Sequence, residues 1–312
     1  MQTILGANGT IGSLLVKELP AYTDKIRLVS RNPVRVNESD ELFPADLTNP
    51  SLVNKAVEGS DIVYLLIGLE YKLSVWQENW PKIMRSVINA CMLNKARLVF
   101  FDNVYMYDIS EIPHMKETSK INPPSKKGEV RRDIADMLMN EVRSGKLNAL
   151  IARSADFYGP ECKNSIINEA VLKNLKGGKK PMWFIDADKK HSFTFTPDAA
   201  KATAILGNTP DAYNQVWHLP TDRDILTGRE ICRLYAEALN SEKKGVFVLP
   251  MWMIRIIGHF IPFMKEMPEM LYQMDRDYFF DSSKFENKFN FKPTPYKKGV
   301  RLSVEAEQKT KA

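Results

Sequence analysis

Three cysteines in 312 residues, Cys91, Cys162 and Cys232, are too few and too scattered for a disulfide framework or a Cys-x-x-Cys metal site. The four histidines, His114, His191, His218 and His259, have no partner at metal-ligand spacing, so no metal centre is expected. No serine carries nucleophile-elbow glycines, which removes the Ser-His-Asp hydrolases. Long apolar runs are missing as well. The most apolar stretch, residues 245–264, is broken by Pro250, Arg255, His259 and Pro262 and never reaches the length of a membrane span. Within it Trp252, Ile256 and Phe260 recur at helical spacing, and a helix packed on the body of the protein is expected. The start of the chain shows neither a basic leader nor a long apolar segment, so a reduced, cytoplasmic location without a membrane partner is expected. Lys and Arg outnumber Asp and Glu by 44 to 38. This excess is spread out, apart from Lys126-Lys127 and Arg131-Arg132, and no basic stripe interleaved with aromatics points to nucleic acid.

What the chain does have is a cadence. Short continuous apolar runs at Thr3–Leu5, Ile26–Ser30, Asp61–Gly68, Arg97–Asp102 and Leu147–Ala152 alternate with helical spacing at Ile11–Leu19, Trp80–Leu93 and Glu129–Val142. Strands that are apolar throughout need cover on both faces, and strand–helix–strand alternation implies parallel crossovers. The fold class expected is α/β, a doubly wound parallel sheet over residues 1–158 with a smaller lobe over 159–312 that is interleaved with late strands and helices of the core. After Arg153 prolines break the pattern, and Trp217–Leu219 and Val246–Leu249 are candidate late strands of the main sheet.

Gly6-Ala7-Asn8-Gly9-Thr10-Ile11-Gly12 falls where the first strand hands over to the first helix. There Gly6 permits a tight turn, Gly9 lets backbone approach a pyrophosphate, and Gly12 allows close helix–strand packing. The helix N-terminus offers N–H groups to phosphate. At the end of the second strand, where a carboxylate would select NAD, the chain reads Ser30-Arg31. A guanidinium there grips a 2′-phosphate, so NADP is the expected cofactor, with NAD the alternative. Asp46 and Leu47 suit the adenine, one as acceptor for its amine and the other packed on the ring.

These segments occur in order with the strand around Leu66, with Asp102-Asn103-Val104-Tyr105-Met106-Tyr107 and with Arg153-Ser154-Ala155-Asp156-Phe157-Tyr158-Gly159-Pro160. Together they resemble the extended short-chain dehydrogenases/reductases of the NAD-dependent epimerase/dehydratase type. The resemblance implies a Rossmann domain with a C-terminal substrate lobe, a monomer or homodimer, and cofactor contacts from the glycine turn, including Asn8, Thr10 and Ile11, and from Leu66 and Asp156.

The family's chemistry rests on Tyr-x-x-x-Lys plus a Ser or Thr, and no tyrosine here has a lysine four residues later. Aligned on Gly128 and the following helix, Lys127 stands in the tyrosine position and Arg131 in the lysine position. Asn103, four residues before Tyr107, takes the hydroxyl position. Lys127 is then a candidate proton donor, Arg131 a candidate partner for ribose hydroxyls, and Asn103 a candidate to polarise a carbonyl. Two functions follow: an oxidoreductase or epimerase acting on a carbonyl or hydroxyl of a small molecule, with sugar derivatives among the candidate substrates, or an NADP(H)-binding sensor without turnover.

Overall fold

A computed structural model describes residues 1–162, 165–243 and 245–309. The chain divides into two compact units, each assembled from three segments. The first comprises Met1–Val104, Lys126–Arg153 and Ala199–Trp217, the second Tyr105–Ser125, Ser154–Asp198 and His218–Ala312. Ala199–Trp217 thus belongs with the first unit, and Tyr105–Ser125 with the second.

The first unit is built on a parallel sheet. Its strands are β1 (Gln2–Leu5), β2 (Ile26–Ser30), β3 (Glu41–Pro44), β4 (Ile62–Leu65), β5 (Arg97–Asp102) and β6 (Ala149–Arg153), with Val216–His218 added beside β6. The order runs from Val216–His218 through β6, β5, β4, β1 and β2 to β3, and the pairings among β1–β6 are parallel. Every residue of β1, β4 and β6 is buried, as expected of strands covered on both faces. The edge strand β3 is the exception. Its Glu41 and Pro44 are exposed, and the terminal proline blunts the edge.

Helices α1 (Thr10–Glu18), α2 (Pro50–Val57), α3 (Leu73–Asn94) and α4 (Lys126–Arg143) complete the unit. The α3 helix begins seven residues earlier than the periodicity implied and carries Pro81 in its interior, where Trp76, Trp80, Ile83, Met84 and Val87 anchor it to the core. Burial of that apolar face outweighs the backbone bond that proline forfeits. Because β1 pairs with β2 on one side and β4 on the other, the direction of winding reverses at β1 and β4. Ligands of open parallel sheets bind beyond the carboxyl ends of strands at such a switch point.

The second unit is made of short pairs. Asp156–Tyr158 lies parallel to Phe193–Phe195, and Met182–Phe184 parallel to Phe247–Leu249. The latter pairing corrects the expectation that 246–249 joins the main sheet. A core of Tyr158, Trp183, Phe193, Tyr235 and Tyr296 holds this unit together. Tyr158 packs its ring 5.3 Å from both Phe195 and Tyr296, which gives it a structural role. The helix Gly228–Ala238 opens on a reciprocal cap in which Thr227 and Glu230 satisfy each other's backbone N–H groups. Among the described residues no helix is long and apolar enough to cross a membrane.

Candidate functional site: a dinucleotide turn and a buried charge cluster

The three glycines at the end of β1 have different physical reasons to be there. Gly6 sits at φ +100°, a left-handed conformation, and a side chain on it would also meet Ile67 at 2.9 Å. On Gly12 a Cβ would lie 2.4 Å from the Gly6 carbonyl oxygen, so α1 can pack on the turn only without one. Gly9 is the N-cap of α1 and has an ordinary extended backbone. Its Cβ would come no closer to the protein than 3.3 Å, at the same carbonyl oxygen. The protein's own packing thus demands Gly6 and Gly12, while a Cβ at Gly9 would require only a shift of a few tenths of an ångström. No side chain caps α1, which leaves its first turn to offer N–H groups to an anion.

Asn8 ties this turn to the loop after β2, donating to the Asn32 carbonyl at 2.6 Å and accepting from the Val34 N–H at 3.4 Å. It acts through the loop it holds. Thr10 is half-buried and Ile11 buried beneath the turn. Ser30 ends β2 with a buried hydroxyl that has no hydrogen-bond partner. Arg31 follows it, exposed and without a hydrogen bond among the described residues, and its charge reaches Asp46. The Thr48 backbone and hydroxyl hold one Asp46 oxygen, both at 2.9 Å, and together with Arg31 keep this carboxyl below its ordinary range. Leu47 and Leu66 are buried. Three glycines at the turn, an uncapped helix start and an exposed guanidinium at the end of β2 are features that fit a dinucleotide.

These differences predict two distinct phenotypes. Gly9→Val should abolish NADPH binding in a fluorescence titration while the circular dichroism melt stays nearly in place. Gly12→Ala should lower the melting temperature, since backbone must shift to admit the methyl group. Normal binding by Gly9→Val would make the turn merely structural.

The positions matched to the family's catalytic residues converge on a carboxylate that the sequence reading overlooked. Asp102 closes β5 and Arg153 closes β6, and the two are direct neighbours across the strands. Asp102 Oδ1 accepts from Arg131 Nε and from the Asn103 backbone N–H, each at 2.8 Å, while Arg153 Nε approaches Oδ2 at 3.4 Å. The three side chains are 0%, 5% and 2% exposed for Asp102, Arg131 and Arg153. Two cations thus share one anion away from water.

Aromatic rings meet the remaining positive charge. Tyr71, Trp76, Trp80 and Phe100 form an edge-to-face ladder with centroids 5.8, 6.4 and 6.2 Å apart. The Arg131 guanidinium stands 4.4 Å from the Trp80 centroid and 5.0 Å from that of Phe100. One helical turn earlier, Lys127 Nζ stands 4.7 Å from the Tyr71 centroid, and Lys127 is fully buried. Desolvated cation–π contacts of this kind contribute about 2 kcal/mol each.

This geometry revises the part expected of Arg131. Its Nε and Nη2 turn inward to Asp102 and the Phe101 carbonyl, because α4 presents it to the end of β5, where Asp102 is buried. Through Asp102 it ties the first turns of α4, which carry Lys127, to the end of β5, where the backbone N–H of half-buried Asn103 meets the same carboxylate. Lys127, Asn103 and Arg131 all belong to the first unit.

The sequence model of the NAD-dependent epimerase/dehydratase family matches residues 3–218. The chain belongs to this family. Solved structures with the same fold include a dTDP-glucose 4,6-dehydratase from Streptomyces venezuelae, with a TM-score of 0.81 at 16% identity, covering 100% of this chain and 98% of that one. A UDP-N-acetylglucosamine 4-epimerase from Bacillus cereus gives 0.76 at 17% identity, covering 98% and 96%. A UDP-glucose 4-epimerase from Thermus thermophilus gives 0.79 at 18%, covering 99% of each chain. At these identities the likeness is one of fold. No curated protein matches the chain.

Two family-matched residues fall in the second unit. Asp156, expected at the cofactor, accepts from His191 Nε2 at 2.9 Å, and that imidazole lies flat on Tyr278 with centroids 4.1 Å apart. Tyr107 is fully buried and donates to His218 Nε2 at 2.7 Å, since His218 Nδ1 already donates to the Asp281 carbonyl at 2.8 Å. Asp102 and the aromatic ladder are the residues that sequence reasoning missed. The signal was present in the two charged strand ends and in the i, i+4 spacing of Trp76 and Trp80 opposite that of Lys127 and Arg131.

Proposed function

We propose that this member of the epimerase/dehydratase family is an NADP-dependent oxidoreductase or epimerase acting on a carbonyl or hydroxyl group of a sugar-derived small molecule. The observation that carries the cofactor half is Arg31, an unengaged guanidinium at the end of β2 beside the Gly6–Gly12 turn. The Streptomyces dehydratase and the Thermus epimerase were both solved with NAD, and both act on nucleotide-linked glucose, which supports the substrate class. A bound nicotinamide supplies a hydride acceptor or donor. In this chain the first turn of α1 and Gly9 hold the pyrophosphate, Arg31 and Ser30 the 2′-phosphate, and Asp46 and Leu47 the adenine. Lys127 Nζ holds and delivers the proton that a tyrosine handles elsewhere in the family, Asn103 polarises the reacting oxygen, and Arg131 positions both through Asp102.

Titration should show NADPH bound severalfold more tightly than NADH, and Arg31→Ala should narrow that gap by about 1–3 kcal/mol. Equal affinities in the unaltered protein would remove the NADP reading. A sensor that binds NADP(H) without turnover is the second reading, favoured by one observation: Arg131, in the position of the family's lysine, spends its hydrogen bonds on Asp102. Tight NADPH binding without oxidation across a panel of nucleotide sugars and simple carbonyls would select it.

A further inference from the structure

The apolar stretch 245–264 does not pack wholly on the body of the protein, as its composition suggested. Met251–Ile257 and Pro262–Glu266 form two short helices joined at Gly258–Ile261, and Gly258 lies within about 3.1 Å of the Lys265 backbone, measured from the position a Cβ would occupy. One side of this hairpin sits in a core of Phe184, Leu249, Ile254, Met267 and Leu271. The other side is turned to solvent. Trp252 is 63% exposed, Ile256 54%, Phe260 83% and Phe263 49%. Single exposed apolar residues are ordinary, but a clustered aromatic and aliphatic face marks an interaction surface.

The charges around this face indicate what covers it. Arg255 and Lys265 lie on the hairpin, exposed and without an ion pair among the described residues. The strand Phe247–Leu249, which leads into the hairpin, pairs with Met182–Phe184, and that strand is preceded by exposed Lys179 and Lys180. Lys180 stands 3.5 Å from where a Gly245 side chain would begin, and exposed Lys243 lies just before it in the chain. The acidic groups close by in sequence include Glu242, half-buried Asp186, Glu266 and Glu269, and Asp188, which is paired with Arg229. An exposed apolar face led by Trp and Phe, carrying Arg255 and Lys265 on the same hairpin with further exposed lysines before the strands that lead to it, matches the physics of shallow interfacial insertion into an anionic bilayer. A protein groove would instead ask for complementary acids, and a second copy of this chain offers the same cations.

We infer that the hairpin 251–266 docks the protein on anionic membrane surfaces, with Trp252, Ile256, Phe260 and Phe263 entering the headgroup region and Arg255, Lys265, Lys179, Lys180 and Lys243 meeting lipid phosphates. The protein lies on the bilayer and does not cross it. The inference is independent of the dinucleotide site.

Cosedimentation of the full chain with phosphatidylcholine vesicles, with and without phosphatidylglycerol, tests it. Binding is expected to the anionic vesicles, weakening as salt is raised. The double variant Trp252→Ser, Phe260→Ser should bind at least ~100-fold more weakly, and Arg255→Glu with Lys265→Glu roughly tenfold or more. All four side chains are exposed, so both variants should keep the parent's melting temperature and NADPH affinity, which confirms that they are folded. No binding to either vesicle overturns the inference, as does equal binding to neutral and anionic vesicles. Concentration-dependent self-association that Trp252→Ser, Phe260→Ser abolishes, without vesicle binding, would overturn it in favour of a second copy as the occupant.

Discussion

Replacing Asp102 with alanine should destabilise the protein by about 3–5 kcal/mol, because it leaves two guanidinium groups buried without their shared anion. For a chain of this size that corresponds to a fall in melting temperature on the order of 10 °C. Every feature that makes the loss large is local. Asp102 is 0% exposed, it takes hydrogen bonds from Arg131 and from the Asn103 N–H, and Arg153 lies beside it on the neighbouring strand. The aromatic rings around Arg131 soften the charge but accept no N–H bond in the plane of the guanidinium. Asp102→Asn should cost less, since the amide oxygen still accepts. The discriminating measurement is a double-mutant cycle: adding Arg131→Met to Asp102→Ala should recover part of the lost stability, because one buried cation, Arg153, is then left without the shared anion instead of two. Strict additivity of the two changes would show that the cluster is not the coupled unit described here. The same variants should blur the position of Lys127, so a loss of turnover larger than the loss of cofactor affinity is expected in Asp102→Asn.

Lys127 carries the second large effect. If it is the proton donor, Lys127→Ala should reduce turnover by about 10²–10⁴-fold, the usual contribution of a general acid or base. The affinity for NADPH should stay close to that of the parent, because a proton donor contributes mainly in the transition state. Alanine also empties the space of a fully buried side chain against Tyr71, so Lys127→Met is the better comparison. Methionine keeps the packing volume, tolerates the aromatic neighbour and removes only the ammonium. Equal turnover by the methionine variant and the parent would end the case for Lys127 and return attention to Tyr105, the phenol nearest in sequence to Asn103. Turnover would be followed as NADPH consumption with the carbonyl substrate that the parent accepts.

Much of this protein is written in local sequence. Continuous apolar runs at regular intervals announced the covered parallel strands, and glycines three apart after the first of them announced the phosphate-binding turn, because both signals depend on neighbours along the chain. Arg31 was legible for the same reason, lying a fixed distance from that turn in a βαβ unit. The edge strand Glu41–Pro44 was not, since two half-buried residues between two exposed ones, ending in proline, carry no apolar period. Tertiary structure alone decided three further matters. It showed that a Cβ at Gly12 would press on the Gly6 carbonyl oxygen far harder than one at Gly9, a distinction set by one carbonyl oxygen rather than by spacing. It turned Arg131 from the cofactor side to Asp102, because Asp102, Arg131 and Arg153 are separated by dozens of residues and meet only when β5, β6 and α4 assemble. And it exposed Trp252 and Phe260, since helical periodicity reveals an amphipathic face but not whether protein, lipid or water lies against it.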